Sequence, residues 1–434
     1  MTSNTATYNA TKPVRVFVAG GCYAGLAAAI EILERCDIAS PPIPVLITIV
    51  DERDGFYHVI STPLALADKT YAEKAWVKFR DIKILQRPDV RFIHGSVKAV
   101  NCDAKSARIA VGEKEVVEGY DYFIGAAGLR RVWPVVPQAL TRDAYLEEAC
   151  KHIDSIAGSK HPILVIGGGA VGIEMAAELK LWHPNTRVIL AHSRDKLLSA
   201  EPLSDTFKER SLRILRESGV EVILNHRLSE SKSIEEGNEV YFTNGERLTA
   251  GVIVMAISRS VPSTDFLPKE ALDQDAYVNV LPSQQFCGNV PNSAVHFAAG
   301  DMINWSGIKR CGSSMHMGKL VGWNVYQSIM RDLSRSIEKP KFKELGPVPP
   351  MITIAVGKKA VSCGPRGTTS GKRTMRLFFE DDLGFRIVWD YLRLGCEPGS
   401  VLTWKQSAVN ILVYMFPEVR SIWTKLIRTE NKKA

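Results

Sequence analysis

The chain has no C-x-x-C pair among its eight cysteines, and its nine histidines build no metal-ligand spacing with one another or with cysteine. A thioredoxin-type dithiol and a structural zinc site are therefore not expected. A chain of 434 residues buries enough apolar surface to stand without disulfide staples. Its thiols are expected to be reduced and its compartment cytoplasmic. No apolar run reaches the roughly 18 residues that a membrane-spanning helix needs. Residues 1–13 are polar and lack both an apolar stretch and an arginine, so they read as neither a secretory signal nor a transit peptide; Thr2 excludes N-myristoylation. The formal charge is +8, but the basic residues are scattered until the last stretch and form no run interleaved with aromatics. Nucleic acid is not an expected partner.

What is present is an ordinary globular composition, 45% hydrophobic and 24% charged, with length for two or three domains. Short apolar runs alternate with helical stretches, the pattern of parallel α/β architecture. Val14–Ala19 reads as a strand, residues 26–35 as a helix with Leu26, Ile30 and Leu33 on one stripe, and residues 45–50 as the next strand. A second unit of the same kind runs through Ile163–Ile166, the glycine turn 167–172, helix 173–181 and strand 187–191. Between the two, residues 97–116 alternate like antiparallel strands, and Asn244-Gly245 within 239–247 signals a hairpin. Residues 339–350 form a Pro/Gly-rich break. Beyond it, 376–389 alternates like sheet strands and the stretch from Ser400 reads as helical.

Each unit carries a turn suited to a dinucleotide. Such a turn needs small residues so that the backbone can approach a pyrophosphate, which then sits at a helix N-terminus where free N–H groups favour anions. In the first turn Gly20, Gly21, Tyr23, Ala24 and Gly25 surround Cys22, which stands where a glycine is usual. After the next strand, Asp51 is the carboxylate expected to accept from a ribose hydroxyl, with Glu52 beside it. The second turn is complete, with Gly167, Gly169 and Gly172 in place. Glu174 just behind it is open to two readings, a first-turn carboxylate favourable to the helix dipole or a group acting at the nicotinamide end. Where an acid is expected after the second unit's next strand, His192 and Arg194 stand instead. A carboxylate there would repel a 2′-phosphate, so this site leans from NADH toward NADPH, unless the segment is a solvated loop without ligand contact. A third signal is an apolar strand, 295–299, ending in Gly300 and Asp301.

The succession of the first glycine turn, 122–128 ending in Gly128, the second turn and Ala299-Gly300-Asp301 resembles the pyridine nucleotide–disulfide reductase superfamily. Within it, the loop 56–64, with Pro63, and the segment 355–361 are similar to the branch of type II NADH:quinone dehydrogenases and apoptosis-inducing-factor-like flavoproteins. The resemblance implies two Rossmann-type domains: an FAD domain over 1–155 and 271–335, an inserted NAD(P)H domain over 156–270, and a smaller α+β region over 336–434. It implies that Asp301 holds the ribityl chain of FAD and that the following helix brings its N-terminus, with His316 nearby, to the flavin. Cys22, Ala127, Ser258 and Ser263 depart from the family's motifs. The disulfide-reductase branch is excluded for want of C-x-x-C; Cys311 and Cys363 read as inert buried thiols.

The implied activity is FAD-dependent NAD(P)H oxidation with electrons leaving to a small-molecule acceptor, a quinone by preference. No catalytic side chain is demanded, because the cofactor carries the chemistry. Two other readings stay open: a flavin-dependent tailoring enzyme using O2 or a dedicated small molecule, and a redox-sensing signalling protein. From 401 to 428 apolar residues, two tryptophans and basic residues mix, which suits peripheral membrane contact as well as docking on the protein's own core or on a homodimer partner.

Overall fold

The computed structural model describes residues 12–257, 261–335, 339–365 and 367–400. The expected C-terminal helix, its membrane or dimer contact, and Ser258 lie outside the described residues.

Strand β1 (Val14–Ala19), helix α1 (Tyr23–Ile38) and strand β2 (Val45–Asp51) form the first unit. Strand β3 (Val90–His94) follows, then a meander of β4 (Ser96–Asn101), β5 (Ser106–Val111) and β6 (Lys114–Gly119), and then β7 (Tyr122–Gly125). The meander is antiparallel throughout. After α2 (Arg142–Ala157), the second unit comprises β8 (Ile163–Ile166), α3 (Ala170–Trp182), β9 (Val188–Ala191), α4 (Asp205–Glu217), β10 (Glu221–Ile223) and β11 (Val252–Met255). Its hairpin turns at Asn244-Gly245, where Gly245 takes φ +88° between strands Gly237–Phe242 and Arg247–Ala250. The chain then returns to the first sheet with β12 (His296–Ala298) and helix α5 (Cys311–Asp332).

Two parallel sheets result, ordered β12-β7-β1-β2-β3 and β10-β9-β8-β11. Both are buried on two faces, which explains why β1, β2, β8 and β9 are near-continuous apolar runs. On the first sheet α1 lies against α5 at very short range: a Cβ on Gly318 would stand 2.3 Å from the Ala24 carbonyl oxygen. This contact fixes the N-termini of α1 and α5 relative to each other, and both feed the site described below.

The C-terminal part holds a small antiparallel sheet, β13 (Ile352–Val356), β14 (Lys359–Gly364) and β15 (Gly367–Gly371). The strands expected over 376–389 are not there. That stretch is taken up by two short helices, α6 (Lys372–Phe378) and α7 (Phe385–Tyr391), broken by Leu383 and Gly384 at φ +48° and +81°. The buried residues Phe385, Val388 and Leu392 recur at helical spacing, and seven residues are too few to separate that period from simple alternation. All eight cysteines are free thiols. No described helix is long and apolar enough to cross a membrane.

Candidate functional site

The first glycine turn is tight enough to specify its residues. Gly20 takes φ +108°, and a Cβ there would sit 2.4 Å from the Ala126 carbonyl oxygen. A Cβ on Gly25 would come within 1.8 Å of the Gly20 oxygen, so α1 leaves its strand at backbone contact distance. Asp51 spans the mouth: its Oδ2 accepts from Gly21 N–H at 2.7 Å and its Oδ1 from Arg53 N–H at 2.8 Å. Burial pushes its carboxyl up, while the Arg53 charge and those two N–H groups pull it back. Cys22 caps α1 and its thiol points at the Tyr57 carbonyl, 3.6 Å away; burial pushes that thiol to about 12, so it is not a nucleophile. Tyr23 and Ala24 begin the helix, and the Tyr23 hydroxyl meets Nδ1 of the fully buried His58 at 3.2 Å. The other His58 nitrogen faces the Leu383 carbonyl at 3.2 Å, which ties this loop to the C-terminal part. Pro63 is buried at the start of the short helix Thr62–Ala65.

Asp301 reaches the same mouth from the far edge of the sheet. Its Oδ1 accepts from Ser314 Oγ at 3.1 Å, and Arg131 stands 3.8 Å from its Oδ2. Gly300 takes φ +83° against Ala24, and Gly128 takes φ +68° with open space where a side chain would stand. His316 is exposed on α5, within one turn of Ser313 and Ser314. The first turn, Asp51, Pro63, Gly128 and the pair Gly300-Asp301 thus come from five segments to one rim. Arg131 and Ser314 were not legible in the sequence; Arg131 lies three residues past Gly128, but only the fold puts it beside Asp301.

Built on the same plan, the second turn has Gly167 at φ +120°, its Cβ position 2.8 Å from the Ala256 oxygen, and a Cβ on Gly172 would lie 1.9 Å from the Gly167 oxygen. Gly169 caps α3 and faces open space. Here the group that accepts from the middle glycine is an imidazole: Gly168 N–H donates to His192 Nδ1 at 3.0 Å. Arg194 is exposed. Glu174 turns inward from the first turns of α3, and its Oε1 accepts from Ala355 N–H of β13 at 3.0 Å. Burial pushes its carboxyl to about 8.

The two rims fit dinucleotides. Each offers a helix N-terminus without an acidic first turn, and positions where a side chain would fill the cradle. Metal chemistry has less to build on. Among the described residues, Glu380, Asp381 and Asp382 lie close together, with Lys74 2.7 Å from Asp382 and Arg386 beside the other two.

Comparison with known proteins agrees with this geometry. Residues 14–318 match the family model described as pyridine nucleotide-disulphide oxidoreductase. The chain is 46% identical over 415 residues to "Oxidoreductase OXR1" of Ajellomyces capsulatus, covering 89% of each chain. It is 27% identical over 299 residues to "Ferroptosis suppressor protein 1" of Xenopus tropicalis, covering 66% of this chain and 74% of that one. In fold it is similar to the NADH-bound water-forming NADH oxidase of Lactobacillus brevis, with a TM-score of 0.61 at 18% identity over 80% of this chain and 74% of that one. With two glycine turns, two parallel sheets and a match over most of its length, this chain belongs to the pyridine nucleotide-disulphide oxidoreductase family.

Proposed function

We propose that the protein is an FAD-dependent NAD(P)H oxidoreductase that passes electrons to a quinone-like acceptor, with FAD on the first turn and the nicotinamide nucleotide on the second. The observation that carries this reading is the pairing of two glycine turns, each closed at backbone contact distance, with a carboxylate at the mouth of the first only. Asp51 and Asp301 would hold the adenosine ribose and the ribityl chain, and Arg131 and the N-terminus of α5 would supply positive potential to the phosphates and the flavin. When bound, FAD supplies the two-electron chemistry, and the chain's task is to place and shield it. NADPH is the favoured donor because an imidazole, His192, and not a carboxylate accepts from the second turn, and Arg194 stands exposed two residues on. The domain division is 1–155 with 271–335, 156–270, and 336–434. A quinone suits a chain that has no C-x-x-C to receive the electrons.

Purified protein is expected to be yellow, with one FAD per chain released on denaturation. Asp301→Ala removes a charge-assisted hydrogen bond worth about 1.5–3 kcal/mol and should weaken FAD retention by about one to two orders of magnitude. Full occupancy in that variant would refute the placement of Asp301. Steady-state NADPH oxidation with ubiquinone, menadione, O2 and sulfide identifies the acceptor; turnover with O2 alone would overturn the quinone reading.

Residues 401–434 would add peripheral membrane contact, a reading carried by their mix of apolar, Trp and basic residues. Anionic vesicles should then capture the full chain better than neutral ones, and less so in salt, since exposed charges are screened over about 8 Å at physiological ionic strength. Truncation after Gly399 should abolish capture with flavin retained. Loss of the flavin on truncation would assign the segment to the folded core or to a homodimer interface instead.

A further inference from the structure

The two glycine turns are closed by side chains of different chemistry. At the first, a carboxylate oxygen of Asp51 accepts from Gly21 N–H at 2.7 Å. At the second, Nδ1 of His192 accepts from Gly168 N–H at 3.0 Å. The ring lies so close that a Cβ on Gly168 would stand 2.7 Å from its Cγ. With Nδ1 an acceptor, the ring proton is on Nε2, which faces Ser199 Oγ at 3.1 Å. Both nitrogens are therefore committed to the protein.

We propose that His192 is the positioning residue of the nicotinamide-nucleotide site: a neutral ring that does the carboxylate's work on the turn without its charge, leaving the 2′-phosphate to Arg194. This rests on the reading that the second turn binds NAD(P)H. Arg194 is exposed and its side chain makes no hydrogen bond or ion pair among the described residues, while its carbonyl is held by Asn225 N–H at 3.0 Å. It is a cation presented on a fixed backbone.

This arrangement differs in sign from a histidine that pairs directly with phosphate. Protonating Nδ1 would turn an acceptor into a donor facing the Gly168 N–H, so the turn opens and nucleotide affinity falls on acidification. An imidazolium–phosphate pair would instead tighten as pH falls. The charged groups around the ring are Arg194 and Asp195 on its own loop, Lys196, which pairs with Asp205 at 3.0 Å, and His226 from beyond β10. The His226 N–H donates to the His192 carbonyl at 2.8 Å, and its ring pairs with Glu246 at 3.0 Å. Burial outweighs the backbone contact from Lys196 and holds His192 below its ordinary 6.5, so the fall is expected below that pH.

The test uses the FAD-loaded full chain titrated calorimetrically with NAD⁺ and NADP⁺ between about pH 5 and 8. NAD⁺ has no 2′-phosphate, whose own titration near pH 6 would confound the result. Wild type should lose roughly tenfold in NAD⁺ affinity across the acid range, about the worth of one hydrogen bond. His192→Asn, a neutral acceptor, should keep the affinity at neutral pH and flatten the profile. His192→Asp should keep the turn but shift preference toward NAD⁺, and Arg194→Ala should weaken NADP⁺ alone. Affinity that rises on acidification in wild type, or an unchanged preference in His192→Asp, overturns the proposal. If wild type holds FAD but binds neither nucleotide at neutral pH, the underlying reading fails, and that outcome is distinct from both.

Discussion

Gly172→Ala is expected to abolish nicotinamide-nucleotide binding while the flavin stays bound, and Gly25→Ala is expected to cost the flavin. The new methyl at Gly172 would lie 1.9 Å from the Gly167 carbonyl oxygen, and at Gly25 1.8 Å from the Gly20 oxygen. The opposing atoms are backbone, so relief requires parting α3 from β8, or α1 from β1. Overpacking against side chains costs about 1–3 kcal/mol, and a clash between two backbones belongs at or above the top of that range. Gly169 provides the control. It has an ordinary extended backbone at φ −77° and nothing within 4 Å of its Cβ position, so Gly169→Ala should leave the melting temperature unchanged. Its methyl would stand in the space left for the ligand, and nucleotide binding should weaken with stability intact. Flavin absorbance, equilibrium dialysis with NADP⁺ and thermal melts read the three variants. A Gly172→Ala protein that binds NADP⁺ normally would show that the second turn is not the nucleotide site.

Much of this site could be read from the chain alone, because its signals are local. The strand limits Val14–Ala19 and Ile163–Ile166 follow from apolar runs ending at glycine. The two helices begin three residues earlier than apolar periodicity indicates, at Tyr23 and Ala170, since glycine and alanine turns carry no stripe. Between 376 and 389 the sequence misled: one helix of seven residues offers two turns, and over that length alternation and helical spacing coincide. What the sequence could not carry are contacts closed by the fold. His192 lies 24 residues from the N–H it accepts, Arg131 meets Asp301 across the sheet, and Glu174 meets a strand 181 residues away. The residue types were visible, but their work depends on partners that only packing supplies.

Glu174 gives the remaining prediction, a pH dependence of stability that a single substitution removes. Its side chain is half-buried, with Ala355 N–H as its hydrogen-bond donor, and Glu178 is 3% exposed one turn further along α3. Burial pushes Glu174 from the ordinary 4.5 to about 8, and Glu178 to about 7. A carboxyl raised in the folded state holds its proton there after the unfolded chain has released it. Stability is therefore greatest below the unfolded value and declines as pH rises from about 4.5 toward 8. A shift of that size would be worth about 5 kcal/mol if the group stayed dry throughout; with water reaching it on ionisation, of order 1–2 kcal/mol is expected. Glu174→Gln keeps an oxygen for Ala355 N–H and removes the titration. Its melting temperature should match wild type near pH 5 and exceed it by about 2–4 °C at pH 8.5. Glu178 should leave a smaller slope, which Glu174→Gln/Glu178→Gln would remove in turn. Melting curves that stay parallel from pH 5 to 9 would mean that Glu174 is ionised in the folded protein over the whole range, and that Ala355 N–H alone meets the cost of its charge.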